Sequence, residues 1–255
     1  MGRKTMTLKE FFADHPRVAI AFSGGVDSAY LLYGACQAGA QVRAYYARSP
    51  FQPRFEYEDA CRLARELGVA LVEVKVDVLA SPAISANPPD RCYHCKRAIF
   101  AAILSAARAD GFSVLLDGTN ASDDLSDRPG VRALEEYGVL SPLRLCGLTK
   151  GEIRNLSRQA GLFTWDKPAY ACLATRIPTG TPITREDLAR TEWAENYLFS
   201  LGLRDFRVRL LGEGARLQVT AGDVPMVMAH REEIVKALKQ RYRFALLDLE
   251  VRDEH

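Results

Sequence analysis

The 255 residues are enough for one large α/β domain and a smaller second one, and 48% hydrophobic with 26% charged residues is ordinary for a globular protein. The formal net charge of +2 gives no indication of a nucleic-acid partner, and no apolar run approaches the roughly 18 residues of a membrane helix. Because the N-terminus also lacks the apolar core of a signal peptide, we expect a cytoplasmic protein with no membrane or nucleic-acid partner. The six cysteines are then more typical of free, metal-bound or catalytic thiols than of disulfides.

Strands and helices alternate along the first part of the chain. Short apolar runs bounded by turn residues predict strands, and longer periodic runs predict helices. This alternation predicts a parallel, doubly wound sheet, in which ligands bind beyond the carboxyl ends of the strands. The predicted strands are 17–22, 42–47, 70–76 and 113–116; the predicted helices are 27–36, 56–67 and 92–109, with a loop at 81–90.

After residue 142 the pattern changes to an α-β-β-α-β run, which predicts a smaller α+β domain. We place the boundary at residue 180, with a nucleotide-binding domain at 1–180 and a domain for substrate binding or oligomerisation at 181–255. The predicted elements are helices 149–160, 184–201 and 232–240, a hairpin of 206–211 with 216–220, and a last strand at 244–251, with a proline-containing loop at 166–181.

A glycine-rich turn follows the first predicted strand and opens a helix. It consists of Ser23, Gly24, Gly25, Val26, Asp27 and Ser28. Two glycines let the backbone approach an anion closely, and the N–H groups at a helix start bind phosphate. The serines can add hydroxyl donors, and the Asp27 carboxylate suits a nearby Mg²⁺ ion. No lysine follows the glycines, so this is not the loop of kinases and GTPases.

Three cysteines stand apart from the rest. Cys92 and Cys95 form a CxxC pair around His94, and Cys172 lies in the loop at 166–181. Three thiolates can hold a [4Fe–4S] cluster with one iron left open, and that iron can carry a sulfide. Zinc, with or without His94, and plain buried thiols are the alternatives. For three others the buried-hydrophobe interpretation is favoured: Cys36, Cys61 and Cys146.

The glycine-rich turn resembles the SGGxDS signature of the PP-loop ATP pyrophosphatases, a superfamily with an adenine nucleotide alpha hydrolase-like fold. This superfamily includes NAD, GMP and asparagine synthetases and tRNA-thiolating enzymes. Its members use ATP to activate a substrate oxygen as an adenylate and release pyrophosphate. The resemblance therefore implies the first half of a reaction and leaves the nucleophile open.

From about residue 8 onward the sequence is similar to the LarE family. This resemblance implies an ATP-dependent sulfur transferase that acts on a small nucleotide, pyridinium-3,5-dicarboxylic acid mononucleotide, in nickel-pincer cofactor biosynthesis. It also implies a homo-oligomer. The segments that carry it are NPPDRCYHCK at 87–96, DGTN at 117–120, DRPG at 127–130, WDKP at 165–168 and RIPTGT at 176–181.

The family supplies sulfur in two ways. Some members sacrifice a cysteine, which becomes dehydroalanine, and others carry three cysteines and a [4Fe–4S] cluster. This chain has the CxxC pair, and Ala171 occupies the position where the sacrificial cysteine is expected. Both features favour the cluster type, with Cys92, Cys95 and Cys172 as ligands. A shift of one residue in the alignment would instead make Cys172 the sacrificial donor.

Other roles follow from matching positions. Lys96 lies one turn beyond Cys92 and is expected to hold an adenylate phosphate or pyrophosphate. Arg207 and Arg209 alternate on one strand face and suit a nucleotide phosphate, although an exposed basic face remains the alternative. Further expected site residues are Glu195, Arg176 and Thr175 for substrate, Asp117 and Gly118 for the nucleotide cleft, and Ala47 near the adenine; Asp123, Asp124 and Asp127 form an acidic loop.

Three rivals share parts of this pattern. A tRNA-thiolating enzyme would use the same loop and three cysteines, but it would need a basic RNA-binding surface. An ammonia-using synthetase would not need the cysteines. A non-catalytic nucleotide-binding protein would bind ATP without releasing pyrophosphate.

Overall fold

The computed structural model describes residues 6–124 and 129–252, and the chain forms two compact units. The first unit comprises Met1–Val78 and Asp90–Lys167, and the second comprises Leu79–Pro89 and Pro168–His255. This division differs from the expected boundary at residue 180. The reason is that the segment before residue 90 is hydrogen-bonded within the second unit: the Gly180 N–H donates to the Asn87 carbonyl oxygen at 2.8 Å.

The helices of the described residues begin and end close to the predicted positions wherever they are long. Four of them were not predicted, and the loop expected at 81–90 contains a further short helix, Pro82–Ser85, because helices of four to eight residues show too little periodicity. The four are Leu8–Asp14, Pro129–Glu136, Pro142–Leu145 and Val224–Ala229. In chain order they are α1 Leu8–Asp14, α2 Val26–Gln37, α3 Arg54–Glu66, α4 Pro82–Ser85, α5 Arg91–Ala109, α6 Pro129–Glu136, α7 Pro142–Leu145, α8 Lys150–Gln159, α9 Arg185–Ser200, α10 Val224–Ala229 and α11 Arg231–Leu238.

The first unit is built on a four-stranded parallel sheet of β1 Arg17–Ala21, β2 Gln41–Arg48, β3 Leu71–Lys75 and β4 Leu115–Leu116. The strand order is β3-β2-β1-β4, so the chain moves outward from β1 on one side and then crosses to β4 on the other. Such a reversal is the place where doubly wound sheets bind ligands, here beyond the carboxyl ends of β1 and β4. The predicted α/β fold is confirmed.

The core of the first unit explains why α2 is apolar on most of its faces. Val18 and Ile20 of β1 are fully buried, and so are Leu31 and Leu32 of α2. These side chains belong to one hydrophobic cluster with α1 and β2. Burial of apolar area at this helix fixes the position of its N-terminus relative to the sheet edge.

The second unit contains a three-stranded sheet of β5 Phe206–Leu211, β6 Gly214–Val219 and β7 Ala245–Leu247, in that order. The first two form the predicted antiparallel hairpin, with Gly212 at φ +56° in the turn, and β7 pairs parallel to β6. Helix α9 begins where predicted, because the Thr184 hydroxyl accepts the Asp187 N–H at 3.0 Å.

Within the part of the chain that the structure describes, no helix combines the length and apolar character needed to cross a lipid bilayer.

Candidate active site

The turn at Ser23–Ser28, called the phosphate loop below, lies between β1 and α2. Gly24 has φ +75°, and a side chain there would lie 3.1 Å from the Glu56 carbonyl oxygen, so glycine is required. Gly25 is the N-cap of α2, and no side chain caps the helix. The first backbone N–H groups of α2 therefore form a site suited to an anion.

The two serine hydroxyls of the phosphate loop bond within the loop. Ser28 Oγ donates to the Gly25 carbonyl oxygen at 3.2 Å and lies 3.1 Å from Ser23 Oγ, and the Ser23 N–H donates to Ser28 Oγ at 3.3 Å. In this arrangement the hydroxyls hold the shape of the loop. Donation to a phosphate, as the sequence predicts, would require them to rotate.

The end of β4 lies against the phosphate loop. Asp117 is buried, and its carboxylate accepts hydrogen bonds from the hydroxyls of Thr119 at 2.5 Å and Ser141 at 2.6 Å. At Gly118 a side chain would lie 2.9 Å from the Ser28 backbone nitrogen. Only glycine permits this approach, so the two positions predicted to form the nucleotide cleft lie beside the start of α2.

Asp27 is held from two sides by residues to which sequence analysis gave no role. Its Oδ2 lies 2.5 Å from Lys150 Nζ, and its Oδ1 accepts a hydrogen bond from Asn120 Nδ2 at 3.3 Å. The magnesium role predicted for Asp27 stays a prediction, because a carboxylate has about four acceptor sites and the two bonds observed here occupy one on each oxygen. Lys150 belongs to no motif, and only the three-dimensional pairing identifies it.

The CxxC pair occupies the start of α5. Cys92 is exposed and Cys95 is half-buried, and the spacing of three residues puts both thiols on one face. A buried guanidinium lies beside them, since Arg91 Nη2 is 3.6 Å from Cys92 Sγ. Two cysteine sulfurs on one turn of a helix can share a metal, so these two donors fit an iron–sulfur cluster.

Three residues were predicted to act with the CxxC pair: His94, Lys96 and Cys172. His94 Nε2 lies 3.2 Å from the Asp90 carboxylate. Lys96 is half-buried and has no ion-pair partner among the described residues. The third candidate ligand, Cys172, belongs to the second unit, and within neither unit do the described residues bring three His, Cys, Asp or Glu side chains together as a metal site.

A buried ion pair organises the second unit. Arg176 and Glu195 are each 1% exposed, and two hydrogen bonds join them, Nε to Oε1 at 2.8 Å and Nη2 to Oε2 at 3.2 Å. The Tyr170 hydroxyl donates to Oε2, and the Val208 N–H donates to Oε1 at 3.0 Å. Burial acts to lower the pKa of Arg176, but the Glu195 carboxylate outweighs it and raises that pKa.

The same arginine fixes the segment that carries Cys172. Arg176 Nη1 donates to the Ala171 carbonyl oxygen at 3.0 Å and to the Thr175 hydroxyl at 2.8 Å. That hydroxyl donates to the Cys172 carbonyl oxygen at 2.8 Å. The backbone around the half-buried Cys172 thiol is therefore held by hydrogen bonds on both sides.

Arg207 and Arg209 of β5 bind the same segment. Arg207 Nη2 donates to the Ala169 carbonyl oxygen at 2.5 Å, and Arg209 Nη1 donates to the Thr175 carbonyl oxygen at 2.7 Å. Burial, and then repulsion from Arg176, lowers the pKa of Arg207 to about 10 and also lowers that of Arg209. A pKa near 10 still leaves Arg207 charged at neutral pH.

The remaining predicted positions are Ala47, the other three cysteines and Asp127. Ala47 is half-buried near the end of β2 and packs against an apolar cluster. Cys146 is buried while Cys36 and Cys61 are half-buried, and burial raises the pKa of the Cys36 and Cys146 thiols. Asp127 lies outside the described residues.

Comparison with curated proteins identifies the family. The chain is 40% identical over 218 residues to the uncharacterized protein slr1717 of Synechocystis, covering 85% of this chain and 81% of that protein. It is 31% identical over 252 residues to pyridinium-3,5-bisthiocarboxylic acid mononucleotide synthase of Lactiplantibacillus plantarum, covering 98% and 91%. The chain belongs to the LarE family. No protein-family model matches it.

More distant relatives connect this LarE-family chain to the PP-loop superfamily. The tRNA-specific 2-thiouridylase MnmA of Thermotoga petrophila is 26% identical over 189 residues, covering 57% of this chain and 52% of that protein. The chain is an ATP-dependent sulfurtransferase, as the sequence predicts.

Proposed function

We propose that this enzyme adenylates a carboxylate of pyridinium-3,5-dicarboxylic acid mononucleotide and converts it to a thiocarboxylate, in nickel-pincer cofactor biosynthesis. The observation that carries the proposal is a phosphate loop with an uncapped helix start in a chain that also has the CxxC pair. The likeness to the synthase of L. plantarum over 98% of the chain supports the choice of substrate.

The first unit would perform the adenylation. The N–H groups at the start of α2 would hold the phosphates of ATP while a substrate carboxylate oxygen attacks the α-phosphorus. The bond from that phosphorus to the bridging oxygen breaks, and pyrophosphate leaves with its electron pair. Donors already fixed at the helix start stabilise the charge that develops on the leaving group. Lys96, which is half-buried on the CxxC helix, would add a positive charge.

The second unit would orient the mononucleotide. Arg207 and Arg209 would bind its phosphate. A guanidinium has five N–H donors, and the bonds of Arg209 to Gln218 and Thr175 use two of them. Since the buried pair of Arg176 and Glu195 fixes the segment around Cys172, the backbone of this third sulfur ligand would be positioned before the substrate binds.

The sulfur would come from a cluster held by Cys92, Cys95 and Cys172. When bound, a [4Fe–4S] cluster with three protein ligands supplies an open iron that can carry sulfide. Arg91 would place a positive charge beside the Cys92 sulfur and offset part of the negative charge of a bound cluster. The exposure of Cys92 supports access of sulfide and iron to this end of α5.

Iron content and the visible spectrum test this assignment. We expect anaerobically reconstituted protein to be brown and to bind about four irons per chain, and Cys92→Ala to lose both. Cys36→Ala, which changes a half-buried thiol of α2, is the matched control. Pyrophosphate release with the dicarboxylate should fall about 100-fold in Ser28→Ala. If the wild type stays colourless and Cys172 loses the mass of hydrogen sulfide on turnover, the cluster assignment is wrong and Cys172 is a sacrificial sulfur donor.

A further inference from the structure

Asn87 combines a left-handed backbone conformation with a buried polar side chain. Its φ is +57°, and among the residues that the structure describes it is the one non-glycine residue with a positive φ. Only 1% of its surface is exposed. Asparagine tolerates the left-handed region better than most residues, but such a conformation persists only where the surrounding contacts enforce it. The contacts of Asn87 therefore indicate its role.

The Asn87 side chain holds the turn at 177–181 in the second unit. Its carbonyl oxygen accepts the Gly180 N–H at 2.8 Å, so backbone and side chain bind the same turn. A buried amide whose partners are all backbone groups fixes the shape of the segment that supplies them. The side-chain Nδ2 donates to three backbone carbonyl oxygens, those of Ile177 at 3.4 Å, Pro178 at 2.8 Å and Thr181 at 3.0 Å.

These bonds join the two chain segments that lead to the candidate sulfur ligands. Asn87 lies five residues before Cys92, and Pro178 lies six residues after Cys172. The two residues that follow Asn87 are both prolines. Because proline fixes φ, the link from Asn87 to Cys92 has few free dihedral angles. The position of Asn87 therefore restricts the chain on both sides of the bonded turn.

We propose that Asn87 is a positioning residue for the sulfur ligands: it fixes the chain segment on each side from which Cys92 and Cys172 reach a shared cluster. The inference rests on the proposed function and deepens it, because it assigns the residue that holds the third ligand within reach of the CxxC pair. It also explains why the segments at 87–96 and 176–181, which both carry the family resemblance, are bonded to each other.

Iron retention by the reconstituted full-length protein tests this role. Asn87→Gly permits the same backbone conformation but removes the side-chain hydrogen bonds. The nearby bond from the Ile183 N–H to the Ser85 carbonyl oxygen, at 2.7 Å, is left in place, so the segments should stay folded. We expect iron to pass to a chelator about tenfold faster, roughly the effect of one lost buried hydrogen bond. Asn155→Gly, at an exposed asparagine of α8, is the matched control and should retain iron like wild type.

Two further measurements separate positioning from general damage to the fold. Pyrophosphate affinity, which depends on the phosphate loop, should be unchanged in Asn87→Gly. Asn87→Asp keeps the size of the side chain but turns an oxygen toward the three carbonyl groups, so it should lose iron at least as fast as Asn87→Gly. An equal loss of pyrophosphate affinity and iron in Asn87→Gly would overturn the proposal, and so would Asn87→Asp with the iron retention of wild type.

A measurement without iron makes the test independent of the sulfur source. In a Cys95→Ser background, the oxidant diamide takes two electrons and two protons from the thiols of Cys92 and Cys172, and mass spectrometry detects the disulfide. We expect Asn87→Gly to slow its formation about tenfold, for the same lost hydrogen bonds. If wild type binds no iron but this difference holds, the proposed cluster is wrong and the role of Asn87 stands. Equal disulfide rates with and without Asn87→Gly would overturn the proposal, and so would unchanged iron retention in a protein that binds iron.

Discussion

The phosphate loop and the segment around Cys172 solve the same problem, positioning backbone for chemistry, in opposite ways. The phosphate loop is six consecutive residues whose shape depends on Gly24 and on close approach by Gly118. The segment around Cys172 depends on long side chains that reach it from other elements, Arg176 with Glu195 and the two arginines of β5. The first is fixed by the absence of side chains and the second by buried charge.

The difference shows where each region is vulnerable. A loop shaped by glycine is sensitive to an added methyl group at the glycine itself. A segment held by a buried ion pair is sensitive to the loss of one charged side chain, because its partner would remain buried and unpaired.

The largest effect is expected for Glu195→Ala, which would leave the Arg176 guanidinium buried without its carboxylate. We expect a loss of about 3–5 kcal/mol in the free energy of unfolding, measured by urea denaturation. Glu232→Ala, at a carboxylate that is 91% exposed, is the control and should change stability by less than about 0.5 kcal/mol. A cost below about 1 kcal/mol for Glu195→Ala would mean that the segment around Cys172 does not depend on this pair.

A smaller effect is expected for Gly118→Ala. The new methyl group would lie 2.9 Å from the Ser28 nitrogen and 3.2 Å from its Cα, so the backbone must shift, at a cost of about 1–3 kcal/mol. ATP affinity should fall as well, because the start of α2 moves. For stability, Gly151→Ala is the matched change: it lies in α8, with nothing within 4 Å of the added methyl group. Equal stabilities of the two variants would contradict the close approach.

The same contrast explains what the sequence could predict. The strand expected at 17–22 and the helix expected at 27–36 are observed as Arg17–Ala21 and Val26–Gln37, because apolar periodicity and glycine punctuation are local signals. Lys150 pairs with Asp27 across 123 residues of chain, and no local pattern encodes that pairing. Glu195 was found only through family resemblance, and the structure adds that it is a buried partner of Arg176.

The smallest effect is expected at the N-caps of α8 and α1, which have the same capping-box geometry. Thr149 of α8 and Thr7 of α1 each form a capping box with a glutamate three residues on, Glu152 and Glu10. Replacing either threonine by alanine should cost about 1 kcal/mol in the free energy of unfolding. Lys150 pairs with Asp27 of the phosphate loop, so only Thr149→Ala should also weaken pyrophosphate binding, because it frays the turn that carries Lys150.

The pH dependence of Thr149→Ala supplies an independent check of the capping box at α8. The Thr149 hydroxyl, and then its N–H, lower the pKa of Glu152 in the folded protein. A lowered folded pKa contributes stability above the unfolded pKa of the carboxyl, and this contribution is lost as pH falls through the folded value. The stability difference between wild type and Thr149→Ala should therefore shrink in acid, as followed by urea denaturation at pH 7 and at about pH 3. A difference that stays constant over this range would mean that the hydroxyl stabilises α8 without the Glu152 carboxylate, and the start of the helix carrying Lys150 would then depend on its N-cap bond alone.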